Sequence, residues 1–301
     1  MVNWVEAQKP IVHGLAKLAG LRQRTVELEP GTVMSFWVPK KNDKQKPPVV
    51  LVHGFAGEGI VTWQFQVGAL TKRYAVYVPD LFFFGSSKTG RSERSPDFQA
   101  DCLGRALALL GVQRCTLVGF SYGGMVAFKL AEARPEMVRS MVVSGSVVAM
   151  TSSIGEEALA RLGFKSSAEL LLPNTLKGNK ALLSVATYRK YWFPDRLHKD
   201  FIKVMFSNRK EREELLEGLE DSNREFTLPA NLPQHILLLW GENDRIFKIE
   251  LAQDMKEKLG EKAAVHSISK AGHLVHLERP CVYNRCLKGF LAKVHSSGSE
   301  S

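Results

Sequence analysis

Residues 115–130 read Cys115-Thr116-Leu117-Val118-Gly119-Phe120-Ser121-Tyr122-Gly123-Gly124-Met125-Val126-Ala127-Phe128-Lys129-Leu130. The first six form a short apolar run of the kind buried inside a parallel strand, and the residues after Gly123 read as helix. Between them lies G-x-S-x-G. Gly119 and Gly123 leave room where a strand and a helix nearly touch, and the strained turn projects the Ser121 hydroxyl outward. The pentapeptide alone is a common glycine-rich turn. Strand before and helix after make Ser121 a candidate nucleophile.

Outward from this turn, short runs rich in Val, Ile and Leu alternate with helical patterns, the rhythm of a mostly parallel sheet covered on both faces. Strands are expected over Thr25–Glu29, Val33–Pro39, Pro48–His53, Ala75–Asp80, Cys115–Phe120, Ser140–Ser144, His235–Trp240 and Ala264–Ser269. The first two, separated by Pro30-Gly31, form a hairpin. Helices are expected over about Ile60–Lys72, Asp97–Leu110, Tyr122–Ala133, Ile249–Leu259 and Pro280–Val294. From Val147 to Pro229 no strand pattern occurs, only helical stretches over Ser153–Leu162, Leu176–Tyr191, Asp195–Phe206 and Arg209–Leu219. The fold class is therefore α/β. An N-terminal helical segment (1–24) precedes a core (25–146 and 230–295), which is interrupted by a helical cap (147–229) and followed by a disordered tail (296–301). Such a cap would lie over the carboxyl edge of the sheet, where open α/β sheets bind ligands.

A serine hydroxyl needs a base, and the base an orienting acid. Asp244 follows the strand ending at Trp240, and His273 follows the strand ending at Ser269, so both arrive at the edge that carries Ser121. The chain order is serine, acid, histidine. Glu242 is the alternative acid, read instead as a loop residue capping the next helix, and His276 the alternative base, read as a packing residue. Val52-His53-Gly54-Phe55 after the third strand lets backbone N–H groups point into the site, so the oxyanion hole is expected from the N–H groups of Phe55 and Tyr122. His53 itself reads as structural.

The motifs Val52-His53-Gly54-Phe55, Pro79-Asp80-Leu81 leading to Gly85-Ser86-Ser87, Gly119-Phe120-Ser121-Tyr122-Gly123-Gly124, Trp240-Gly241-Glu242-Asn243-Asp244 and Ala271-Gly272-His273 resemble, in order, the landmarks of α/β-hydrolase-fold serine hydrolases. The pattern looks most like plant members of the branch containing monoacylglycerol lipases, often labelled epoxide-hydrolase-like. This resemblance implies an eight-stranded sheet with an inserted helical cap and a Ser121–Asp244–His273 triad. Epoxide hydrolases attack with an aspartate at the elbow, where this chain has Ser121. Tyr188 or Tyr191 of the cap would be the only echo of their epoxide-activating tyrosines. His273-Leu274-Val275-His276-Leu277-Glu278 resembles the H-x4-D motif of acyltransferase relatives, with Glu278 in place of the aspartate. Glu278 is read as a helix-start acid facing the macrodipole before Pro280. Some plant hormone receptors of this fold keep the triad, so a receptor with slow or no turnover and an acyltransferase stand as alternatives to a carboxylic-ester hydrolase.

The 301 residues are 45% hydrophobic, enough for one sizeable core. The net charge of +10 comes from Lys and Arg scattered among acids, with no nucleic-acid-binding motif, so no nucleic-acid partner is expected. Cys102, Cys115, Cys281 and Cys286 have neither metal nor disulfide spacing and read as buried, reduced thiols of a cytoplasmic protein. No metal and no other cofactor is called for. The first twenty residues lack the unbroken apolar stretch of a signal peptide. Trp4, Val5, Ile11, Leu15, Leu18 and Leu21 among Lys9, Lys17, Arg22 and Arg24 form a weak basic amphipathic pattern, read first as a helix packed on the domain and second as a peripheral membrane contact. The cap is rich in apolar side chains, so the expected substrate is a small hydrophobic ester, with Phe82, Phe83, Phe84, Trp192 and Phe193 the candidate binding residues.

Overall fold

The computed structural model describes residues 3–296 apart from 42, 44 and 222–231. Helix α1 (Trp4–Leu18) leads into the hairpin β1 (Leu21–Glu29) and β2 (Thr32–Pro39). β3 (Pro48–Val52) is followed by the short helices α2 (Gly59–Thr62) and α3 (Gln64–Leu70), then by β4 (Ala75–Pro79) and α4 (Pro96–Leu109). β5 (Cys115–Phe120), α5 (Tyr122–Ala133) and β6 (Val138–Ser144) come next. Five helices then run without a strand among the described residues: α6 (Ser152–Leu162), α7 (Ser167–Leu171), α8 (Leu176–Ala186), α9 (Asp195–Met205) and α10 (Arg209–Asp221). The chain closes with β7 (His235–Gly241), α11 (Ile249–Leu259), β8 (Ala263–Ile268), α12 (Val275–Glu278) and α13 (Pro280–Ser296).

The eight strands form one sheet in the order β1-β2-β4-β3-β5-β6-β7-β8. β2 runs antiparallel to both its neighbours, and from β4 onward the pairing is parallel. From β3 the chain moves to one side to make β4 and returns to the other side to make β5. The loops after β3 and β5 therefore diverge, leaving the crevice that a reversal of strand order creates. Phe55 and Ser121 lie on those two loops.

Alternation along the strands feeds two cores. Val50 and Val52 of β3, Leu117 of β5 and Leu238 and Trp240 of β7 face the layer holding Leu103 of α4, Phe128 of α5 and Met255 of α11. Val49 and Leu51, Val118, and Leu237 and Leu239 face the opposite layer, with Ala16 of α1, Val67 of α3 and Leu287 of α13. Strands buried on both faces are why these runs are apolar throughout rather than alternating.

Some boundaries differ from the sequence expectation, each for a tertiary reason. β1 begins at Leu21, four residues inside the segment expected to be helical, because the polar Arg22, Gln23 and Arg24 are held by pairing with Val38, Trp37 and Phe36. The helix expected over 60–72 is broken at Trp63, whose backbone (φ −102, ψ 18) turns its indole fully into the core. α8 ends at Ala186 rather than Tyr191 because Tyr188 and Arg189 give their N–H groups to Glu278 instead of to helical carbonyls. Cys281 is exposed and Cys286 half-buried, so only Cys102 and Cys115 are the buried thiols expected. Ser296 ends α13; the rest of the expected tail, 297–301, and the expected boundary at 229 lie outside the described residues.

His276 of α12 is fully buried between Phe120 (ring centroids 4.4 Å apart), Trp63 (5.0 Å) and Tyr283 (6.0 Å). Neither ring nitrogen meets a hydrogen-bond partner among the described residues. Burial, with His273 nearby, lowers its pKa to about 3. The unfolded chain takes up a proton below pH 6.5 that the folded chain refuses, so stability is lost as pH falls from 6.5 toward 3. In thermal or urea unfolding, His276→Phe gains about 2 kcal/mol more, relative to wild type, at pH 5 than at pH 8.

Candidate active site

Ser121 adopts φ 52, ψ −124, a backbone conformation that a residue with a side chain rarely tolerates. Its surroundings impose it. The Ser121 N–H donates to the Ser144 carbonyl of β6 (2.9 Å), and the Ser121 carbonyl accepts from the Gly124 N–H (2.8 Å) and the Ser146 hydroxyl (2.7 Å). A Cβ at Gly119 would stand 2.7 Å from the Gly123 carbonyl oxygen, and one at Gly123 would stand 2.3 Å from that of His53. Only glycine lets the end of β5, the start of α5 and the loop after β3 meet this closely.

Asp244 and His273 meet across the ends of β7 and β8. The Asp244 Oδ1 accepts the N–H groups of Ile246 (2.8 Å) and Phe247 (3.0 Å), which fixes the carboxylate. Its Oδ2 lies 2.8 Å from His273 Nδ1, and both side chains are almost wholly buried. An ionised carboxylate only accepts, so Nδ1 carries the hydrogen and Nε2 is left as the basic nitrogen. Phe120 and Phe247 pack against the imidazole and hold its plane (4.9 and 5.9 Å). His273 and Ser121 line the same two cavities, one of about 170 Å³ and one of about 60 Å³. Glu242 points to solvent and His276 is sealed in the core, so neither alternative reaches Ser121.

Phe55 and Tyr122 flank Ser121 from the loop after β3 and the start of α5. Tyr122 is the first residue of α5, so its N–H has no intrahelical acceptor and sits at the positive end of the helix. The Phe55 ring is held edge-on by Phe84 (5.5 Å) and Tyr122 (6.2 Å). His53 is a brace. Its Nε2 accepts the Leu81 N–H (2.9 Å), its Nδ1 donates to the Gly54 carbonyl (2.7 Å), and burial lowers its pKa to about 4, keeping it neutral.

The candidate binding residues fall elsewhere than expected. Phe82 stacks on Phe98 (5.6 Å), Phe83 lies under the Arg94 guanidinium (4.3 Å), and Phe84 lies between Phe55 and Arg212. None of the three lines a cavity at Ser121. Trp192 is 84% exposed, and with Phe193 it lines a separate outer cleft of about 430 Å³ that shares Leu183, Leu274 and Leu277 with the larger chamber. The chamber walls come instead from Leu182, Phe201 and Met205 on one side, Met125, Leu159 and Leu216 on the other, and Leu171 in both; Leu171 and Leu182 are among the apolar cap residues expected to lie over Ser121.

One further position escaped the sequence reading, and another has a different role from the one expected. Gly145 (φ 52) follows β6, and a Cβ there would stand 2.8 Å from His273 Nδ1 and 3.2 Å from Asp244 Oδ2. A glycine directly after a strand at the edge that carries Ser121 was the available signal. Glu278 is not a helix-start acid. It ends α12, and its carboxylate accepts the N–H groups of Gly272 (2.7 Å), Tyr188 (3.0 Å) and Arg189 (3.2 Å), tying the β6–β7 insertion to the residue beside His273.

A match to the alpha/beta hydrolase fold family spans residues 47–280, and the chain belongs to that family. Epoxide hydrolase 4 of Homo sapiens is 25% identical over 296 residues, covering 86% of this chain and 76% of that protein. A monoacylglycerol lipase of Bos taurus is 26% identical over 263 residues, covering 84% and 77%. The crystal structure of a putative lipase from Acinetobacter baumannii superposes with a TM-score of 0.82 at 22% identity, covering 96% of this chain and 97% of that one. The relatives are hydrolases, in keeping with a hydrolytic role.

Gly145→Ala should push the His273 ring off line and cut kcat by about 100-fold with KM little changed, read in steady-state hydrolysis. Glu278→Ala removes the acceptor of three backbone N–H groups and should cost about 2 kcal/mol in thermal unfolding, only partly restored in Glu278→Gln, whose single amide oxygen can serve one side of the cluster while its NH2 faces a donor on the other.

Proposed function

We propose that this protein is a serine hydrolase that cleaves a small lipophilic carboxylic ester through an acyl-enzyme on Ser121. The observation that carries the substrate class is the lining of the two cavities: among the described residues that line them, none is charged. Such a chamber desolvates an alkyl or acyl chain at a gain and offers no cation to a carboxylate-bearing substrate. Its volumes are below the several hundred Å³ usual for drug-sized ligands, which favours short and medium chains.

In the proposed reaction the Ser121 hydroxyl attacks the ester carbonyl while His273 Nε2 takes its proton. The carbonyl oxygen becomes an oxyanion received by the N–H groups of Phe55 and Tyr122, and Asp244 stabilises the imidazolium. Collapse breaks the C–O bond, and the alcohol leaves with the proton from His273. Water, deprotonated by the same nitrogen, then hydrolyses the acyl-serine and frees the acid. The β6–β7 insertion acts as a cap whose α7, α8 and α9 wall the chamber. Epoxide opening is disfavoured by serine at the elbow and by Tyr188 and Tyr191, which are both largely exposed and line neither cavity at Ser121. The resemblance to the monoacylglycerol-lipase branch supports a monoacylglycerol-like ester.

A panel of p-nitrophenyl and glycerol esters tests this. Wild type should turn over medium-chain members and bind a fluorophosphonate probe, and Ser121→Ala should lose about 1000-fold or more in kcat and all labelling. Undiminished hydrolysis in Ser121→Ala rejects the nucleophile, and labelling without turnover of any ester rejects the hydrolase in favour of a ligand sensor.

A further inference from the structure

Helix α1 has two apolar faces, and the fold uses one. Val5, Val12 and Ala16 turn inward, and His13 packs edge-on against Trp37 (5.0 Å). Trp4, Ile11, Leu15 and Leu18 lie about 110° round the helix from the inward three and are 59, 64, 55 and 86% exposed. At about 100° per residue these four fall within about 60° of one another, a single stripe along the whole helix. A helix that only packs on its domain needs one apolar stripe, so the second is uncovered surface of a kind that marks an interaction site.

The charges around it name the partner. Lys17, Lys40 and Lys41 are exposed around the C-terminal end of α1. The Lys40 N–H donates to the Gly20 carbonyl (2.8 Å) and its ammonium to that of Lys17 (2.8 Å), which holds Lys40 against the end of the helix. The nearby acids are Glu6 on the first turn, Asp200, which accepts the Trp4 N–H (3.0 Å), Glu58, which is engaged by Lys9 (3.3 Å) and His13 (3.7 Å), and Asp43; apart from Asp43, the acids gather at the N-terminal half of α1 and the exposed cations at its C-terminal end. Apolar side chains between exposed cations complement a layer of anionic headgroups over acyl chains. The stripe lies on a protein of net charge +10.

We infer that α1 is a docking helix for an anionic lipid surface, lying in the interface with Trp4, Ile11, Leu15 and Leu18 among the acyl chains. Its placement gives the docking a purpose. The first turn of α1 is bonded to α9, where the Trp4 N–H donates to the Asp200 carboxylate (3.0 Å), and α9 contributes Phe201 and Met205 to the chamber at Ser121. Further along, α1 holds Glu58, next to Gly57 of the chamber wall. A lipid surface bound to α1 therefore lies beside the segments that enclose Ser121, where a lipophilic substrate would enter from the membrane rather than from water. Among the described residues no helix is long and apolar enough to cross a membrane, so the contact is one of lying on the surface.

Flotation of the full chain with phosphatidylcholine vesicles, and with mixed phosphatidylcholine–phosphatidylserine vesicles, tests this without substrate, so its result is independent of the ester reading. Wild type should float with the mixed vesicles, less as salt rises, and scarcely with phosphatidylcholine alone. Ile11→Asp/Leu15→Asp/Leu18→Asp should cut the bound fraction at least about tenfold while keeping the wild-type circular dichroism melt, since all three side chains lie on the surface. Lys17→Glu/Lys40→Glu should weaken binding and flatten its salt dependence. Equal flotation of wild type and the triple variant, or no flotation of wild type at low salt, overturns the proposal. So does a wild-type dimer in light scattering that the triple variant dissolves without any vesicle binding, which would assign the stripe to a second copy of the chain.

Discussion

Everything at the candidate site depends on one close approach of backbones. The end of β5, the first turn of α5 and the loop after β3 touch at Gly119 and Gly123 with no room for a methyl group. Because the three segments cannot separate, the residue between the glycines takes a conformation it would not choose, and β6 secures it through the carbonyl of Ser144. The strain is local, while what over-determines it is global: a parallel sheet buried on both faces, whose order reverses beside β3.

The same edge of the sheet explains why groups distant in sequence meet. Asp244 and His273 come from turns after neighbouring parallel strands, so their Cα atoms advance to the same height and their side chains need only turn toward each other. The two backbone N–H groups on Asp244 and the two phenyl rings on His273 leave neither side chain free to rotate away. Preorganisation here is a property of packing rather than of the three residues themselves.

Those parts whose physics is local could be read from the sequence. The strands from β3 to β7 announce themselves as apolar runs because they are buried on both sides, and Ser121, Asp244 and His273 stand at strand ends marked by glycine. What could not be read depends on partners far along the chain. The start of β1 is polar and is held only by β2. α8 stops where Glu278 takes its donors. A run such as Phe82-Phe83-Phe84 states that rings are buried but not toward what, and these three brace Phe55 and the α4 side instead of lining the chamber. The residues that do line it, among them Leu171, Leu182 and Met205, look in sequence like any helix's core positions, because a chamber for an apolar ligand is built from the same side chains as a core that holds none.

The two cavities at Ser121 share part of their walls, since Phe55, Leu171 and Ile246 line both. For the ester proposed above, selectivity toward its acyl and alcohol halves is therefore a shared trait. Any change at position 171 that widens one compartment reshapes the other, so variants at this site should drift along a single axis of substrate size, and independent tuning has to come from outlying walls such as Met205 or Leu216.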